Sequence, residues 1–288
     1  MPRLFVRILQ EAHVSSSGAL NSSPPRRGCA SILLVNSTTT LSVFHSTGPP
    51  VEDLAREAWQ LDRAAAGEIS LFLTSWTGPV VVLGYAQSPD EADLDWCRRE
   101  NIQVLRRLTG GTGVVHRGDL GVGLSFPADH PWADDIVGLY SRFLDVLEPA
   151  LNSVGSEVSR LADPRRASRV RSPICFLDQL ADTLIMDGKK VVGCAQTRRK
   201  GAVLVHAAVL LDLDAALYTK VFGIPEAEVR AGLAPAVPGG DWREVGDAIT
   251  AEVARQLDLE IVWKPVKPVP ERYLEPYATE RWAPVRNY

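Results

Sequence analysis

Between Ile69 and Leu211, short apolar runs follow one another in adjacent groups, and this adjacency limits the fold more than any single motif does. Ile69 to Trp76 and Val80 to Leu83 are joined only by Thr77-Gly78-Pro79. Val114 to His116 leads quickly into Leu120 to Phe126, and Thr183 to Met186, Val191 to Ala195 and Val203 to Leu211 follow as a second group. Apolar runs bounded by Gly, Pro, Asn and Asp read as strands. Asp187-Gly188 between two of them is a tight-hairpin signal. A doubly wound parallel sheet needs a crossover helix after nearly every strand. Here the helical stretches fall between groups of strands, so the expected class is α+β, a mixed, largely antiparallel β-sheet flanked by helices.

The helices are read from apolar positions spaced three and four apart. Val51 to Ala66 places Leu54, Ala58 and Leu61 on one face. Asp134 to Leu151 does the same with Ile136, Leu139, Tyr140, Phe143, Leu147 and Leu151. Further helices are expected over Pro89 to Glu100, Leu213 to Phe222, Glu226 to Leu233 and Asp241 to Leu257. Ala162 to Ser172, basic and broken by prolines, reads as a surface loop. The Pro-rich stretch after Trp263 reads as an extended surface tail.

Thirty-one Lys and Arg against 35 Asp and Glu leave a formal charge of −4, with no clustered basic footprint for nucleic acid. No apolar run approaches the roughly 20 residues that a bilayer-spanning helix needs. Neither nucleic acid nor a membrane is an expected partner. Cys29, Cys97, Cys175 and Cys194 form no C-x-x-C pair, and the histidines show no H-E-x-x-H spacing, so no metal site is expected. A reducing cytoplasm is the simplest compartment.

Two stretches carry chemistry. In the first, Arg106 and Arg107 end a strand and run directly into Leu108-Thr109-Gly110-Gly111-Thr112-Gly113, ahead of Val114, Val115 and His116. Glycines admit close backbone approach to a ligand, and guanidinium groups bind carboxylate or phosphate bidentately. The run is neither a Walker loop nor G-x-G-x-x-G. It reads either as an anion site or as a glycine-rich hairpin with surface arginines. In the second, Lys189 and Lys190 leave the Asp187-Gly188 turn onto the apolar strand of Gly193, Cys194 and Ala195. A lysine turned inward there would face an anion or a developing oxyanion, whereas one turned outward is an ordinary solvated residue. Cys175-Phe176 follows a basic segment (Arg165, Arg166, Arg169, Arg171) that would favour a thiolate. A small buried hydrophobe is the plainer role for that cysteine.

Arg-Arg-x-Thr-Gly-Gly-x-Gly-Val-Val-His at 106–116, preceded by Gly84-Tyr85-Ala86-Gln87, resembles the lipoate-protein ligase A and lipoyl/octanoyl-transferase superfamily, which also includes biotin protein ligase. Residues 188–196 resemble its second signature, and Leu204 to Leu211 with His206 its following strand. The resemblance runs from about Val51 to Leu211. It implies a biotin/lipoate ligase-like catalytic domain over 51–263, with 1–50 a disordered or mis-called extension and 264–288 a tail. Only Glu11 among the first fifty residues is acidic, a composition that also suits a transit segment.

By position, the resemblance implies that Lys190 sits against the acyl carbonyl. Arg106, Arg107, Gly110, Gly111, Thr112, Gly113, His116, Gly193, Ala195 and His206 would line the site of the carboxylate, adenylate or thioester end. Thr112 stands where ATP-dependent ligases usually have a third glycine, and Cys175-Phe176 matches the pair of cysteine-using octanoyltransferases. Cys194 and Ala207 depart from the usual Ser and Gly. The leading expectation is transfer of an octanoyl or lipoyl group onto a lysine of a lipoyl domain, through a Cys175 thioester. Acceptors implied are the lipoyl domains of 2-oxoacid dehydrogenases or the glycine cleavage H protein, and donors octanoyl-acyl carrier protein or lipoate. That transferase needs no cofactor. The alternatives are an ATP-dependent lipoate ligase, which would use ATP and Mg, and a non-catalytic acyl- or carrier-binding module.

Overall fold

A computed structural model describes residues 39–76, 78–162, 172–177, 183–199 and 201–278. In chain order the strands and helices are β1 (Thr40–Ser46), α1 (Pro50–Ala65), β2 (Ile69–Thr74), β3 (Val80–Leu83), α2 (Leu94–Arg99), β4 (Gln103–Arg106), β5 (Val114–His116), β6 (Leu120–Pro127) and α3 (Ile136–Ser153). They continue with β7 (Ser159–Arg160), β8 (Leu184–Met186), β9 (Lys189–Lys190), β10 (Val192–Arg199), β11 (Ala202–Val209), α4 (Ala215–Phe222), α5 (Glu226–Gly232), α6 (Trp242–Leu257), β12 (Glu260–Trp263) and α7 (Glu271–Ala278). Helix starts follow local chemistry. Asp135 accepts from the backbone N–H groups of Val137 and Gly138, Asp214 from that of Leu217, and Asp241 from that of Arg243, each satisfying donors that a helix leaves open.

The main sheet has the order β10-β11-β6-β2-β1-β12. β2, β6, β11 and β10 pair antiparallel in turn, and β1 runs parallel to both β2 and β12. The sheet is mixed and largely antiparallel, as expected. The two-residue period of its strands divides its faces. Leu71, Leu73, Val122, Leu124, Val203 and Val205 join one core with Phe143 and Leu147 of α3 and Ile249 and Val253 of α6. The alternate positions meet α1, where Leu61 packs on Leu204, Gln60 donates to Ser70 and Glu57 meets His206. Two small sheets, β4-β3-β5 and β7-β8-β9, stand beside the main one. The β8–β9 hairpin turns at Asp187 (φ 51°) and Gly188 (φ 74°), the left-handed pair that a tight hairpin requires.

Order begins before Val51, which corrects the expected boundary. β1 lies within the first fifty residues, and its two partners β2 and β12 are distant from each other in sequence. Parallel strands cannot pair with a near neighbour in the chain, so neither β1 nor β12 announces itself locally. The tail is corrected as well. Val269 and Tyr273 are buried against Ala55 and Ala58, and α7 lies on α1 instead of the chain running extended over the surface. Cys29 and the basic segment 163–171 lie outside the described residues.

Candidate active site

Strand alternation and small side chains together make a cleft between α1 and the sheet. Gly121, Gly123, Gly193, Ala195 and Ala208 stand where larger residues would fill the space, and Leu54, Phe72, Trp76, Val82 and Val114 give it apolar walls. The cleft holds about 630 Å³ including its open mouth. Arg107, His116, Cys175 and His206 reach it from four different segments.

The glycine loop owes its shape to the arginine pair. The Arg107 side chain is buried and donates to Thr109 Oγ1 (2.9 Å) and to the carbonyls of Gly110 (2.7 Å) and Thr112 (2.9 Å). Arg106 Nη1 donates to the carbonyls of Gly84 (2.6 Å), Tyr85 (3.0 Å) and Gln87 (2.7 Å). Both guanidinium groups thus brace backbone turns, and Arg107 also lines the cleft. Two glycines are required by geometry. Gly111 has φ +89°, and a methyl group there would meet Arg107 Nη2 at 2.9 Å. A methyl on Gly84 would stand 1.9 Å from the Gly111 carbonyl oxygen. Gly110, by contrast, has open space around it.

Cys175 is fixed to this loop. The Gly113 N–H donates to the Pro173 carbonyl (2.9 Å), and the Cys175 N–H donates back to the Gly113 carbonyl (3.0 Å). Buried Gln87 adds a further tie, donating from Nε2 to the Pro173 carbonyl (3.0 Å) while its Oε1 accepts from the Gly84 N–H (3.1 Å). The ideal methyl position on Gly111 is 3.9 Å from Cys175 Sγ, so the thiol lies against the glycine loop. Phe176, fully buried, anchors the pair from the other side. Its ring atoms come within 3.1 Å of a methyl built on Gly193, which explains a glycine on β10.

Lys190 completes the cluster. Strand pairing with Ile185 turns Lys190 inward, where it is buried and donates from Nζ to the Cys175 carbonyl (3.0 Å). Its ammonium lies 5.8 Å from the centre of the Phe176 ring. Burial pushes the Cys194 thiol up to about 12 against the opposing effect of Lys190, and burial also raises Cys97. Neither is ionised near neutral pH, so neither is suited to act as a nucleophile.

The histidines are held by carboxylates. His206 Nδ1 is 2.8 Å from Glu57 Oε1, and its Nε2 is 2.8 Å from Thr109 Oγ1, so it ties α1 to the glycine loop. His116 Nδ1 is 2.6 Å from Asp119 Oδ2, and its ring meets Trp76 edge-on at 5.0 Å. Ala195 lies opposite His206 in the β10–β11 register. Thr112 is buried and is not among the residues that line the cleft. Sequence reasoning did not single out Asp53 and Glu57. Burial raises the Asp53 carboxyl despite hydrogen bonds from Ser46 (2.7 Å) and Trp76 (2.8 Å). The available signal was two acids four residues apart on the face of α1 that also carries Leu54 and Leu61. Among the described residues no group of three His, Cys, Asp or Glu side chains could hold a metal, and no helix is long and apolar enough to cross a membrane.

Residues 49–238 match the family model described as lipoyl protein ligase A/B catalytic domain. The chain is similar to octanoyltransferase LipM of Clostridioides difficile, at 32% identity over 195 residues, covering 66% of this chain and 69% of the relative. Octanoyltransferase LipM of Geobacillus kaustophilus is 30% identical over 224 residues, covering 74% and 78%. Among solved structures, lipoate-protein ligase A bound with ATP superposes with a TM-score of 0.69 at 22% identity, covering 85% of this chain and 98% of that one. A bi-partite lipoate protein ligase from Thermoplasma acidophilum gives 0.67 at 22%, covering 87% and 98%.

Proposed function

This chain belongs to the lipoyl protein ligase A/B catalytic-domain family, and we propose from that premise how its own residues carry out acyl transfer. It is an enzyme of protein lipoylation, an octanoyltransferase in preference to an ATP-dependent ligase. Likeness to the ATP-bound ligase, at 22% identity, carries the fold alone.

Cys175 is the nucleophile in this reading. Its thiol gives up its proton as the sulfur attacks the thioester carbonyl of the octanoyl donor, the donor C–S bond breaks, and the donor leaves as a thiol carrying that proton. The ε-amine of an acceptor lysine then attacks the Cys175 thioester, an amide forms, and the Cys175 thiol is released. Dividing the transfer in this way replaces one hard step with two easier ones. The acyl chain lies along the small-residue face of β6, β10 and β11. Lys190, fixed beside Cys175, stabilises the oxyanion of each tetrahedral intermediate. Arg106 and Arg107 position the loop, with Gly111 leaving room for the thioester. The observation that carries the reading is the double fixing of Cys175, by Gly113 on one side and Lys190 on the other. Acceptors are lipoyl domains and the donor is octanoyl-acyl carrier protein. The transfer needs no cofactor, and a free thiol of this kind suits the cytoplasm.

The test incubates the protein with octanoyl-acyl carrier protein and a lipoyl domain without ATP, followed by intact-mass measurement. The acceptor gains one octanoyl group, and omission of the acceptor leaves that group on Cys175. An unmodified acceptor, or undiminished transfer by Cys175→Ala, overturns the assignment.

A further inference from the structure

α1 is a wall of two spaces. Asp53, Leu54 and Glu57 face the acyl cleft, while Arg56, Trp59 and Arg63 face a second cavity of about 840 Å³ including its mouth. Phe44 of β1 and Lys264 and Lys267 of the segment after β12 close it. Four cations from two separate segments therefore converge on one space, and among the described residues its lining contains no Asp or Glu.

The cations are held in place. Trp59 carries the Arg56 guanidinium 5.6 Å and the Arg63 guanidinium 5.7 Å from its ring centre, and Arg56 also lies 5.3 Å from the Phe72 ring. Stacking of this kind fixes the plane of a guanidinium and leaves its N–H edges for hydrogen bonding. Arg56 is only 4% exposed; Nη1 donates to the Lys267 carbonyl (2.7 Å), and its buried Nε has no partner. Nearby carboxylates cancel only part of the charge, and among the described residues Lys267 has no carboxylate partner. Glu68 is shared between Arg63 (2.5 Å) and Lys264 (3.4 Å). Glu52 and Asp53 act on Arg56 from the preceding turn, but Asp53 is already engaged by Ser46 and Trp76. Cations from two segments around one cavity whose lining has no acid are an arrangement that an oxyanion completes.

We propose that this cavity binds a phosphate-bearing small molecule at a site separate from the acyl cleft. With Glu68 already paired to Arg63 and Lys264, the charge left over is modest but spread over two segments, and a phosphate group offers oxygens to several such donors at once. The inference does not depend on the acyl transfer proposed above.

The probes are inorganic pyrophosphate, inorganic phosphate, ADP and coenzyme A, titrated calorimetrically into the full chain. Pyrophosphate binds, and the Lys264→Glu/Lys267→Glu double variant weakens it about tenfold or more while melting normally. Trp59→Phe removes the accompanying change in tryptophan fluorescence. Tighter binding of ADP or coenzyme A than of pyrophosphate identifies a nucleotide-bearing ligand, and equal binding a free phosphate compound. If the double variant fails to fold, Lys267→Ala alone, at an exposed position, weakens binding by a smaller factor. Absence of binding of every probe at millimolar concentration, or affinity unchanged in the lysine variants, overturns the proposal.

Discussion

Gly84→Ala tests how closely the site depends on the backbone of its glycine loop. A methyl on Gly84 would lie 1.9 Å from the carbonyl oxygen of Gly111 and 2.7 Å from its carbon. Carbon rarely approaches an oxygen closer than 3.0 Å, so the two backbone segments must part by about 1.1 Å. Both are bound elsewhere. The Gly84 carbonyl accepts from Arg106, the Tyr85 N–H donates to the Thr109 carbonyl, and Gly111 lies against Cys175. Movement therefore passes to the thiol instead of being absorbed at the surface. A misplacement of about 1 Å at a reacting group costs on the order of 100-fold in rate, or about 2.7 kcal/mol of barrier. We expect kcat for ATP-free octanoyl transfer to fall by about that factor. Overpacking should also lower stability by about 1–3 kcal/mol, read as a lower Tm. Gly110→Ala is the control, because nothing lies near its ideal methyl position. Transfer by Gly84→Ala within about threefold of the parent, or an equal loss in Gly110→Ala, would refute the reasoning.

Two further outcomes follow from side chains in the cleft. Lys190→Met removes the ammonium that donates to the Cys175 carbonyl, and kcat should drop about 10²- to 10³-fold with a smaller change in KM, measured in the same assay. Asp53→Asn addresses pH. Burial raises the Asp53 carboxyl, so the native state binds more protons than the unfolded one and stability falls as pH rises from the ordinary carboxylate range through the raised value. The variant lacks that decline, and its Tm relative to the parent should increase as pH rises above the ordinary carboxylate range; a difference that stays constant with pH would contradict the assignment.

The sequence carried the class of fold and pointed to the stretches that meet at the cleft, because both leave local marks. Adjacent strand runs, the Asp187-Gly188 turn and the glycine loop each depend on a few neighbouring residues. β1 and β12 left no such mark, since their pairing joins Thr40–Val43 to Glu260–Trp263 and is invisible to any local window. Asp53 and Glu57 were hidden for another reason. An acid on a helix is ordinarily solvated, and only the approach of β11 with His206, and of Trp76, makes these two inward-facing.

The arginine pair marks the limit of reading chemistry from residue type. Arg106 and Arg107 beside a glycine loop suggest an anion grip, and a guanidinium is well suited to one. It is equally suited to gathering several carbonyls from a turn, because its donors are fixed in a fork and its charge favours the negative ends of peptide dipoles. Arg107 joins Gly110 and Thr112 in this way, and Arg106 joins Gly84, Tyr85 and Gln87. A loop made largely of glycine has the conformational freedom to admit an acyl group closely, and for the same reason it has no means of holding its own shape. The two arginines provide that shape from outside the loop, while Lys190, on a neighbouring strand, is bonded to the Cys175 carbonyl and in the proposed transfer would meet the charge that develops beside it.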